Sequence, residues 1–443
     1  MAQAQMAGGT PRSLEKDVIA ADYAPDGRTL TIVRHANRRV QLEYPPGKVL
    51  YATAGYMDYM RVSPNGKQVA FIEHPVYDDD RGSVALVDEA GNHKQLTGEF
   101  PSAQGLAWSR NGKEIWYTAA DDSQSTDLQM NGVNLAGKQR RILTIPQRTR
   151  VLDVAADGRV LLSNEQVRGE INGIDPATGK ERRSLQWFNG SGLSDLSPDG
   201  KVMLMSEYGG PADPLYLTVF RKLDGSAPVP LGPGSGPRLS PDGTTAAVVI
   251  LTRPPQVALH PIGIGESRRW PLGDIVSLYG VNWFPDGKHL LLTGAAEGQS
   301  LRTYEMDREG GKPQTLGPAD FRGVAVAKDG KSIAGWNASN QAVVFDSATQ
   351  KMSVVPGIDP QERFDRWTED GQALLMSLVT RWDARIYRVE VATGKRTLLQ
   401  TVELTEKAGS VANLRTLYAE HSKTYAYEAA RDLGTLYVVE GLE

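Results

Sequence analysis

Three consecutive carboxylates form the densest group of possible ligands in the sequence. Oxygen donors of this kind suit Ca²⁺ or a cationic ligand, although their spacing is not that of an EF-hand loop. The structural alternative is a solvated loop, or an Asp–Arg clamp that orders it. Ca²⁺ is the one cofactor that this group would suit, and no other cofactor is expected. The candidate ligand-binding residues of this segment are His74, Tyr77, Asp78, Asp79, Asp80 and Arg81.

Other polar and aromatic side chains are expected in loops on the same face of the protein. Exposed aromatic and arginine side chains are favoured at binding hot spots, but aromatic residues also cap cores. Trp382 is the most informative of them, because charged residues flank it in a short loop, and both interpretations stay open. These candidate ligand-binding residues are Arg34, His35, Tyr208, Arg381, Trp382 and Asp383.

The sequence lacks the motifs of the enzyme classes that it could otherwise suggest. It has no Gly-x-Ser-x-Gly nucleophile elbow, and no glycine-rich loop, His-Arg-Asp or Asp-Phe-Gly element of a kinase. It has no cysteine, and its six histidines show no metal-ligand spacing. We therefore predict a non-enzymatic protein with no catalytic residue and no metal. The alternative is a hydrolase or lyase that holds a metal through Asp22, Asp153, Asp195 and Asn282.

Composition excludes several kinds of partner. The 443 residues include 49 Lys or Arg and 53 Asp or Glu, so the net charge of −4 argues against nucleic-acid binding. No apolar run approaches the ~18 residues of a membrane span, which argues against direct membrane insertion. Residues 1–9 lack the features of a signal peptide. The compartment is not fixed by the sequence.

These candidate residues belong to a unit that recurs along the whole chain. A turn motif related to Ser-Pro-Asp-Gly returns every 39 to 51 residues, and this period is typical of propeller blades. Asp or Asn precedes each turn glycine, as tight turns favour. A degenerate tenth copy spans residues 421–423. The turn glycines are Gly27, Gly66, Gly112, Gly158, Gly200, Gly243, Gly287, Gly330 and Gly371.

The residue four positions before each turn glycine is always apolar or aromatic, which predicts the innermost strand of a blade. Each unit also contains four short runs rich in β-branched and aromatic residues, typical of strands. We therefore predict an all-β propeller of ten four-stranded blades, forming one domain over residues 1–443. Residues 10–16 are predicted to complete the blade formed by residues 412–440 and to close a single ring. Two fused smaller propellers are the alternative.

The residue five positions before the turn glycine is often charged. Neighbouring blades would place Asp22 beside Arg61, and Asp195 beside Arg238. Because this position belongs to the repeat itself, we predict that both are structural ion pairs between blades rather than catalytic groups.

Two resemblances follow from these motifs. The segment 196–201 (Leu-Ser-Pro-Asp-Gly-Lys) resembles TolB-type, WD-repeat-like blades. Nearly the whole chain also resembles the propeller sensor region that follows the kinase domain in acidobacterial-type Ser/Thr protein kinases. It is carried by Glu73-His74-Pro75, residues 79–84, residues 104–109 and residues 436–442. The kinase domain itself is missing from this sequence.

The resemblance implies a bacterial sensor or scaffold module outside the cytoplasmic membrane. Its partner would be a protein or peptide, or a small envelope ligand, and rigid blades would hold the variable loops that bind it. Nothing about kinase activity carries over, because none of the kinase motifs is present.

Overall fold

The computed structural model describes residues 2–3, 12–13, 15–36, 39–75, 79–121, 127–145, 148–165, 167–188, 190–208, 216–380, 383–404 and 410–442. All regular elements in these ranges are β-strands, so the all-β prediction is confirmed. None of the described residues forms a helix long and apolar enough to cross a membrane. The chain divides into two compact units, residues 1–166 with 434–443 and residues 167–433.

The strands follow the repeat that the sequence predicts. They are β1 (Ala2–Gln3), β2 (Arg12–Ser13), β3 (Val18–Tyr23), β4 (Leu30–Ala36), β5 (Arg39–Glu43), β6 (Val49–Thr53), β7 (Tyr56–Val62), β8 (Gln68–His74), β9 (Ser83–Asp88), β10 (His93–Gln95), β11 (Ala103–Trp108), β12 (Glu114–Ala119), β13 (Gln129–Asn134), β14 (Gln139–Leu143), β15 (Thr149–Val154), β16 (Val160–Asn164), β17 (Val167–Ile174), β18 (Glu181–Arg182), β19 (Ser191–Leu196), β20 (Val202–Glu207), β21 (Leu217–Lys222), β22 (Val229–Pro233), β23 (Ser235–Leu239), β24 (Thr245–Ile250), β25 (Gln256–Pro261), β26 (Arg268–Pro271), β27 (Ile275–Trp283), β28 (His289–Ala296), β29 (Arg302–Asp307), β30 (Gln314–Leu316), β31 (Arg322–Val326), β32 (Ser332–Trp336), β33 (Ala342–Asp346), β34 (Lys351–Val354), β35 (Arg363–Trp367), β36 (Ala373–Val379), β37 (Asp383–Glu390), β38 (Arg396–Glu403), β39 (Ser410–Ala419), β40 (Thr424–Asp432) and β41 (Thr435–Val439).

The described part of the first unit consists of antiparallel sheets joined in sequence order. Three have four strands each, β3–β6, β7–β10 and β11–β14, and a fourth has the order β15-β16-β41. Apolar residues fill the space between successive sheets, for example Val33 against Phe71 and Trp116 against Val151. The cores therefore lie between blades, as they do in propellers.

The described part of the second unit contains six four-stranded antiparallel sheets. Five are consecutive, namely β19–β22, β23–β26, β27–β30, β31–β34 and β35–β38, and the sixth has the order β18-β17-β40-β39. This composite sheet packs on β19–β22 through Ile171 and Leu417, and on β35–β38 through Tyr418 and Tyr427. The six sheets therefore form a cyclic series around the innermost strands β19, β23, β27, β31, β35 and β39. We call the space that these strands enclose the central channel.

The described pairing differs from the closure that we predicted for residues 10–16. β2 pairs with β1, whereas β40 pairs with β17 and β41 pairs with β16. The predicted last blade obtains its outer strands from β17 and β18, and so its edge is already occupied. The chain leaves the first unit after β16, completes the second unit and returns through β41. This path divides the strands between the two compact units, and the number of closed rings stays a prediction.

The repeated turn has the chemistry that its sequence indicates. All nine turn glycines have φ between +65° and +94°, a region that residues with a side chain avoid. In the turn after β19, the Asp199 carboxylate accepts the N–H of Lys201 at 3.1 Å and the hydroxyl of Ser197 at 2.7 Å. The turn therefore fixes the end of each innermost strand and the position of the residues just before it.

Three tryptophans four residues before the turn glycine connect neighbouring blades. Trp108, Trp283 and Trp367 are buried. Their Nε1–H groups donate to carbonyl oxygens of the preceding innermost strand, at 3.0, 2.9 and 3.2 Å. Each acceptor residue lies five positions before its own turn glycine. Tyr23 occupies the same repeat position but is about half exposed, because the core of its sheet lies on the side of β7–β10.

Candidate functional site

In the second unit, the innermost strands bring charged residues into the central channel. Asp195 on β19, Arg238 on β23 and Arg366 on β35 each lie five positions before a turn glycine. A β-bulge precedes each of them and changes the direction of the side chains that follow. The repeat therefore converts one sequence position into a cluster of charges at the centre of the unit.

Asp195 is the acceptor around which this cluster is built. Its Oδ1 accepts the N–H of Leu196 at 2.9 Å, and its Oδ2 accepts the N–H of Leu239 at 2.8 Å. A guanidinium N–H of Arg366 donates to Oδ1 at 2.8 Å. Burial alone would lower the pKa of Arg366, but Asp365 and Asp195 together raise it.

The ion pair that we predicted between Asp195 and Arg238 is therefore replaced by one between Asp195 and Arg366. The reason is that side chains at this repeat position point into the channel, where they meet a strand from a non-adjacent blade. Arg238 instead donates to the carbonyl oxygen of Ser194 at 2.6 Å.

A third channel arginine, Arg415 on β39, shares this acceptor. It donates to the Ser194 carbonyl at 3.1 Å. In the described ranges, neither Arg238 nor Arg415 lies within 4.0 Å of a carboxylate oxygen, so both hydrogen-bond to a neutral acceptor, while Asp195 and Asp365 act on Arg238 from farther away. Burial, and then the charge of Arg415, lower the pKa of Arg238.

Two buried carboxyl groups lie near these arginines. Burial raises the pKa of Asp365 and of Glu428, and the arginine charges partly offset this effect. Glu428 accepts the N–H of Leu193 at 2.7 Å. Both groups are therefore less readily ionised than exposed carboxylates, which leaves the arginine charge less balanced.

A cavity of about 450 Å³ adjoins these residues. Trp336, Pro360 and Phe364 supply apolar wall, and Ser377 and Asn340 supply neutral polar groups. Its charged lining residues are Arg322, Glu362, Arg363, Asp365 and Arg415. The size of this cavity is in the range of sites for small ligands, and its lining combines charged groups with an apolar wall.

Tyr208 is the one predicted ligand-binding residue that the structure places near this channel. Its side chain is about half exposed and makes an edge contact with Tyr216, with ring centroids 5.0 Å apart. Partial burial, and then the charge of Glu428, raise the pKa of its hydroxyl. Tyr208 packs closely over Gly192, where a Cβ atom would lie 2.7 Å from its ring.

The predicted acidic site lies in the first unit, where its described side chains bond to one another and to neighbours. The Asp79 carboxylate accepts two N–H groups of the Arg81 side chain, at 2.8 and 2.9 Å. Asp80 accepts from Arg148 at 2.9 Å and from Gln104 at 2.5 Å. Tyr77 and Asp78 lie outside the described residues. The lone pairs of Asp79 and Asp80 are thus directed at cations and amides of the protein itself.

His74, from the same predicted site, is almost completely buried. Its Nδ1 contacts the Arg81 carbonyl at 2.9 Å, and its Nε2 contacts Asp58 at 2.8 Å. The ring stacks on Tyr56 with centroids 4.1 Å apart. A histidine held on both nitrogens and one face positions the loop that carries Asp79 and Arg81.

The remaining predicted residues have separate surroundings. Arg34 forms ion pairs with Glu15 at 3.0 Å and Glu43 at 2.8 Å. His35 is exposed. Asp383 accepts the hydroxyl of Thr380 at 2.9 Å, and Arg381 and Trp382 lie outside the described residues. Binding by these residues stays a prediction.

The predicted pair between Asp22 and Arg61 lies at the inner edge of the first unit. The two charged groups are 3.9 Å apart, and Arg61 also donates to the Leu152 carbonyl at 2.9 Å. Arg61 therefore contacts two other innermost strands, β3 and β15, in the same unit.

Sequence reasoning missed the arginines of the cavity, although the repeat contains a signal for two of them. Arg322 and Arg363 both lie eight residues before a turn glycine, in consecutive repeats. Arg415 has no such signal, because its repeat has lost the turn glycine.

No protein-family model and no curated protein matches this chain. Among solved structures it is similar to TolB from Acinetobacter baumannii, with 13% identity over 73% of this chain and 75% of that chain, and a TM-score of 0.32. It is also similar to a Mycobacterium tuberculosis puromycin-hydrolyzing peptidase, with 17% identity over 71% of this chain and 55% of that chain, and a TM-score of 0.38. A third similar structure is a nidogen/laminin complex, with 13% identity over 60% of this chain and 98% of that chain, and a TM-score of 0.40. At these values no function is transferred, and the propeller assignment rests on the strand pairing.

Proposed function

We propose that this protein is a non-enzymatic binding propeller, and that its ligand occupies the cavity beside the central channel of the second unit. The observation that carries the proposal is the combination of an apolar wall with two arginines, Arg322 and Arg415, whose hydrogen bonds among the described residues go to neutral oxygens. Six rigid sheets hold these groups in place. Binding would therefore need little reordering of the protein, which favours affinity.

The biological role that we propose is that of a sensor or scaffold outside the cytoplasm. The motif resemblance to kinase-associated propellers supports this role. The ligand would be a peptide, a protein segment or a small envelope compound, and a partner protein would receive the signal. Cell fractionation of the native host tests the location, and recovery of the protein only with cytoplasmic markers would contradict it.

A thermal-shift screen of the full chain tests the binding function. The panel contains Ca²⁺, Zn²⁺, a chelator, nucleotides, sugars, cell-wall fragments and short peptides. A ligand present at about 100 times its dissociation constant should add about 2.7 kcal/mol of stability. We expect the shift from a peptide or a wall fragment, and we expect Trp336→Ala to abolish it.

Trp270→Ala is the matched control, because Trp270 lies on the outermost strand β26, away from the cavity residues. It should keep the ligand-induced shift. A shift that persists in Trp336→Ala would place the binding site elsewhere and contradict the proposal.

The alternative, a hydrolase or lyase with a metal in the channel, has less support. Two of its four proposed ligands, Asp22 and Asp153, belong to the first unit, and the other two belong to the second. Asp195 already accepts three hydrogen bonds, and Asn282 donates to the Val324 carbonyl at 2.8 Å. No group of three or more metal-ligating side chains occurs among the described residues. Stoichiometric metal in the purified protein would favour this alternative.

A further inference from the structure

We propose that the outer edge of β41 in the first unit is a self-association surface, and that its partner is β41 of a second copy of this chain. Antiparallel pairing of the two strands would join one sheet from each copy into a continuous sheet. This inference is independent of the proposed binding function. It is drawn from the strand count of the sheet, the exposure of β41 and the sequence of the strand.

The sheet that contains β41 has one strand fewer than the other blade sheets. Nine blade sheets have four described strands each, whereas the sheet β15-β16-β41 has three. β16 pairs with β41 over residues 435–439, and no described residue pairs with the opposite edge of β41. Alternate N–H and C=O groups therefore point away from β16, and such an edge is a template for pairing with another strand.

Three consecutive large apolar residues of β41 are exposed. The exposed fractions of Leu436, Tyr437 and Val438 are 66%, 50% and 61%. A single exposed apolar residue is ordinary on a protein surface, but a contiguous exposed apolar group marks an interaction site. β41 also contains no charged residue and no proline, which are two of the features by which edge strands avoid pairing with other chains.

The outermost strands of the other nine blade sheets have the protection that β41 lacks. In β30 the exposed residues are the polar Gln314 and Thr315, and in β6 only Val49 is exposed. Seven others contain a charged residue or a proline, namely β10, β14, β18, β22, β26, β34 and β38. Among the described outer strands, β41 is therefore the one whose sequence suits pairing with another chain.

The sequence of β41 also identifies a second copy as the partner, because the strand is complementary to itself. Antiparallel pairing centred on Tyr437 would place Leu436 opposite Val438 of the second copy, and the two Tyr437 side chains opposite each other. Aliphatic, β-branched and aromatic pairs of this kind stabilise antiparallel sheets. Glu440 would lie opposite Gly434, so like charges do not oppose each other. A two-fold axis between the strands would close the assembly as a dimer.

Sedimentation velocity of the full chain at physiological ionic strength tests the inference. Pairing of two five-residue strands buries less than the ~1,600 Å² of a standard stable interface, so we expect a dissociation constant in the micromolar range. Between about 1 and about 100 µM protein, the monomer should convert to a dimer. Under the same conditions, amide exchange of residues 435–439 should slow as the protein concentration rises.

Lysine substitutions on β41 locate the interface. Leu436→Lys and Val438→Lys each place a charge within the uncharged edge and should weaken dimerisation at least about tenfold. Both side chains are more than half exposed, so the monomers should unfold at the same urea concentration as the wild type. Val354→Lys is the matched control, because Val354 is 54% exposed on the outermost strand β34 of another sheet. It should dimerise as the wild type does.

Several outcomes would overturn the inference. A wild-type chain that stays monomeric over the whole concentration range, or a dimer that persists in both β41 variants, would exclude this interface. Growth into larger assemblies would contradict the closed two-fold pairing. Slow exchange of residues 435–439 already in the monomer would show that another segment of the same chain covers the edge. If both lysine variants fail to fold, the concentration dependence of exchange in the wild type decides.

Discussion

At the scale of single residues, the partners of a charged group decide its role, and residue type alone does not reveal them. The aspartates at 79 and 80 have the chemistry of a cation site, but their oxygens accept from Arg81, Arg148 and Gln104. The channel arginines have the chemistry of structural ion pairs, but two of them, Arg238 and Arg415, donate hydrogen bonds to the neutral Ser194 carbonyl. The sequence predicts which residues are charged, whereas the fold determines which of them are neutralised.

The channel ion pair gives a prediction at this scale. A double-mutant cycle with Asp195→Asn and Arg366→Gln should show a coupling energy of about 1–3 kcal/mol, because 12% and 24% of these side chains are exposed. The free energies of unfolding in urea provide the measurement. The same cycle with Arg238→Gln is the comparison and should give a smaller coupling. Equal couplings would contradict the partner assignment.

His260 gives a prediction of pH dependence. Its ring is fully buried, with Nε2 2.8 Å from the Pro233 carbonyl and Nδ1 2.7 Å from the Ser267 hydroxyl. Since a carbonyl only accepts, Nε2 carries a proton, and in the neutral ring Nδ1 accepts from the Ser267 hydroxyl. Burial lowers the pKa of His260 below its ordinary 6.5. Below about pH 6.5, His260 therefore binds a proton in the unfolded chain but stays unprotonated in the folded chain until the pH reaches its lower folded-state pKa.

The stabilisation from neutral His260 is thus complete above pH 6.5 and is lost as the pH falls towards the lower folded-state pKa. The loss is at most about 1.4 kcal/mol per pH unit. Urea unfolding between pH 7.5 and 5 measures it. His260→Gln should flatten this dependence. Identical slopes for the wild type and His260→Gln would contradict the prediction.

At the scale of elements, the blade was largely predictable because its signals are local. The turn glycine, the Asp or Asn before it and the apolar residue four positions earlier all act within a few residues, and the structure confirms the four-stranded antiparallel blade. The β-bulges of the innermost strands were not predictable, since they depend on the register with the next strand. These bulges help to direct side chains into the channel, and the channel site was missed for this reason.

The tryptophan hydrogen bonds between blades predict a modest, specific loss of stability. Trp283→Phe keeps most of the apolar contact but leaves the Arg238 carbonyl without the indole N–H that it accepts at 2.9 Å. We expect a loss of about 1–2 kcal/mol, measured by urea unfolding. Trp270→Phe is the control, because Trp270 also packs against a core between sheets but no hydrogen bond from its indole N–H is seen among the described residues. A loss as large in the control would show that volume, and not the hydrogen bond, is responsible.

The turn glycines predict a contrast between two positions. Gly243 has φ +73° and open space where a Cβ would lie, whereas a Cβ at Gly200 would collide with Thr424 and Ser422. Gly243→Ala should cost about 1–2 kcal/mol through backbone strain alone, and Gly200→Ala should cost more. Gly243→Asn should recover part of the loss, because asparagine tolerates positive φ. Equal losses for the two alanine variants in thermal unfolding would show that the collision contributes nothing.

At the scale of the whole molecule, the number of blades was easier to predict than their grouping. The repeat period continues without a break through residues 158–200, where the chain passes from the first unit into the second. Every blade edge requires a similar strand, and so the sequence offers several equivalent partners for each one. By sequence, residues 10–16 and β17 are both suitable partners for the last blade. The observed pairing of β17 with β40 distinguishes them.

This pairing predicts which part of the protein depends on the C-terminus. β41 pairs with β16 over residues 435–439, and Val439 and Leu442 pack against the core of the first unit. Deletion of residues 434–443 should therefore lower the amide-exchange protection of β15 and β16 by at least about tenfold. The composite sheet of the second unit, β18-β17-β40-β39, contains none of the deleted residues and should keep its protection. Hydrogen exchange with mass spectrometry measures both regions in one experiment, and an equal loss across β17 and β40 would contradict the division into two units.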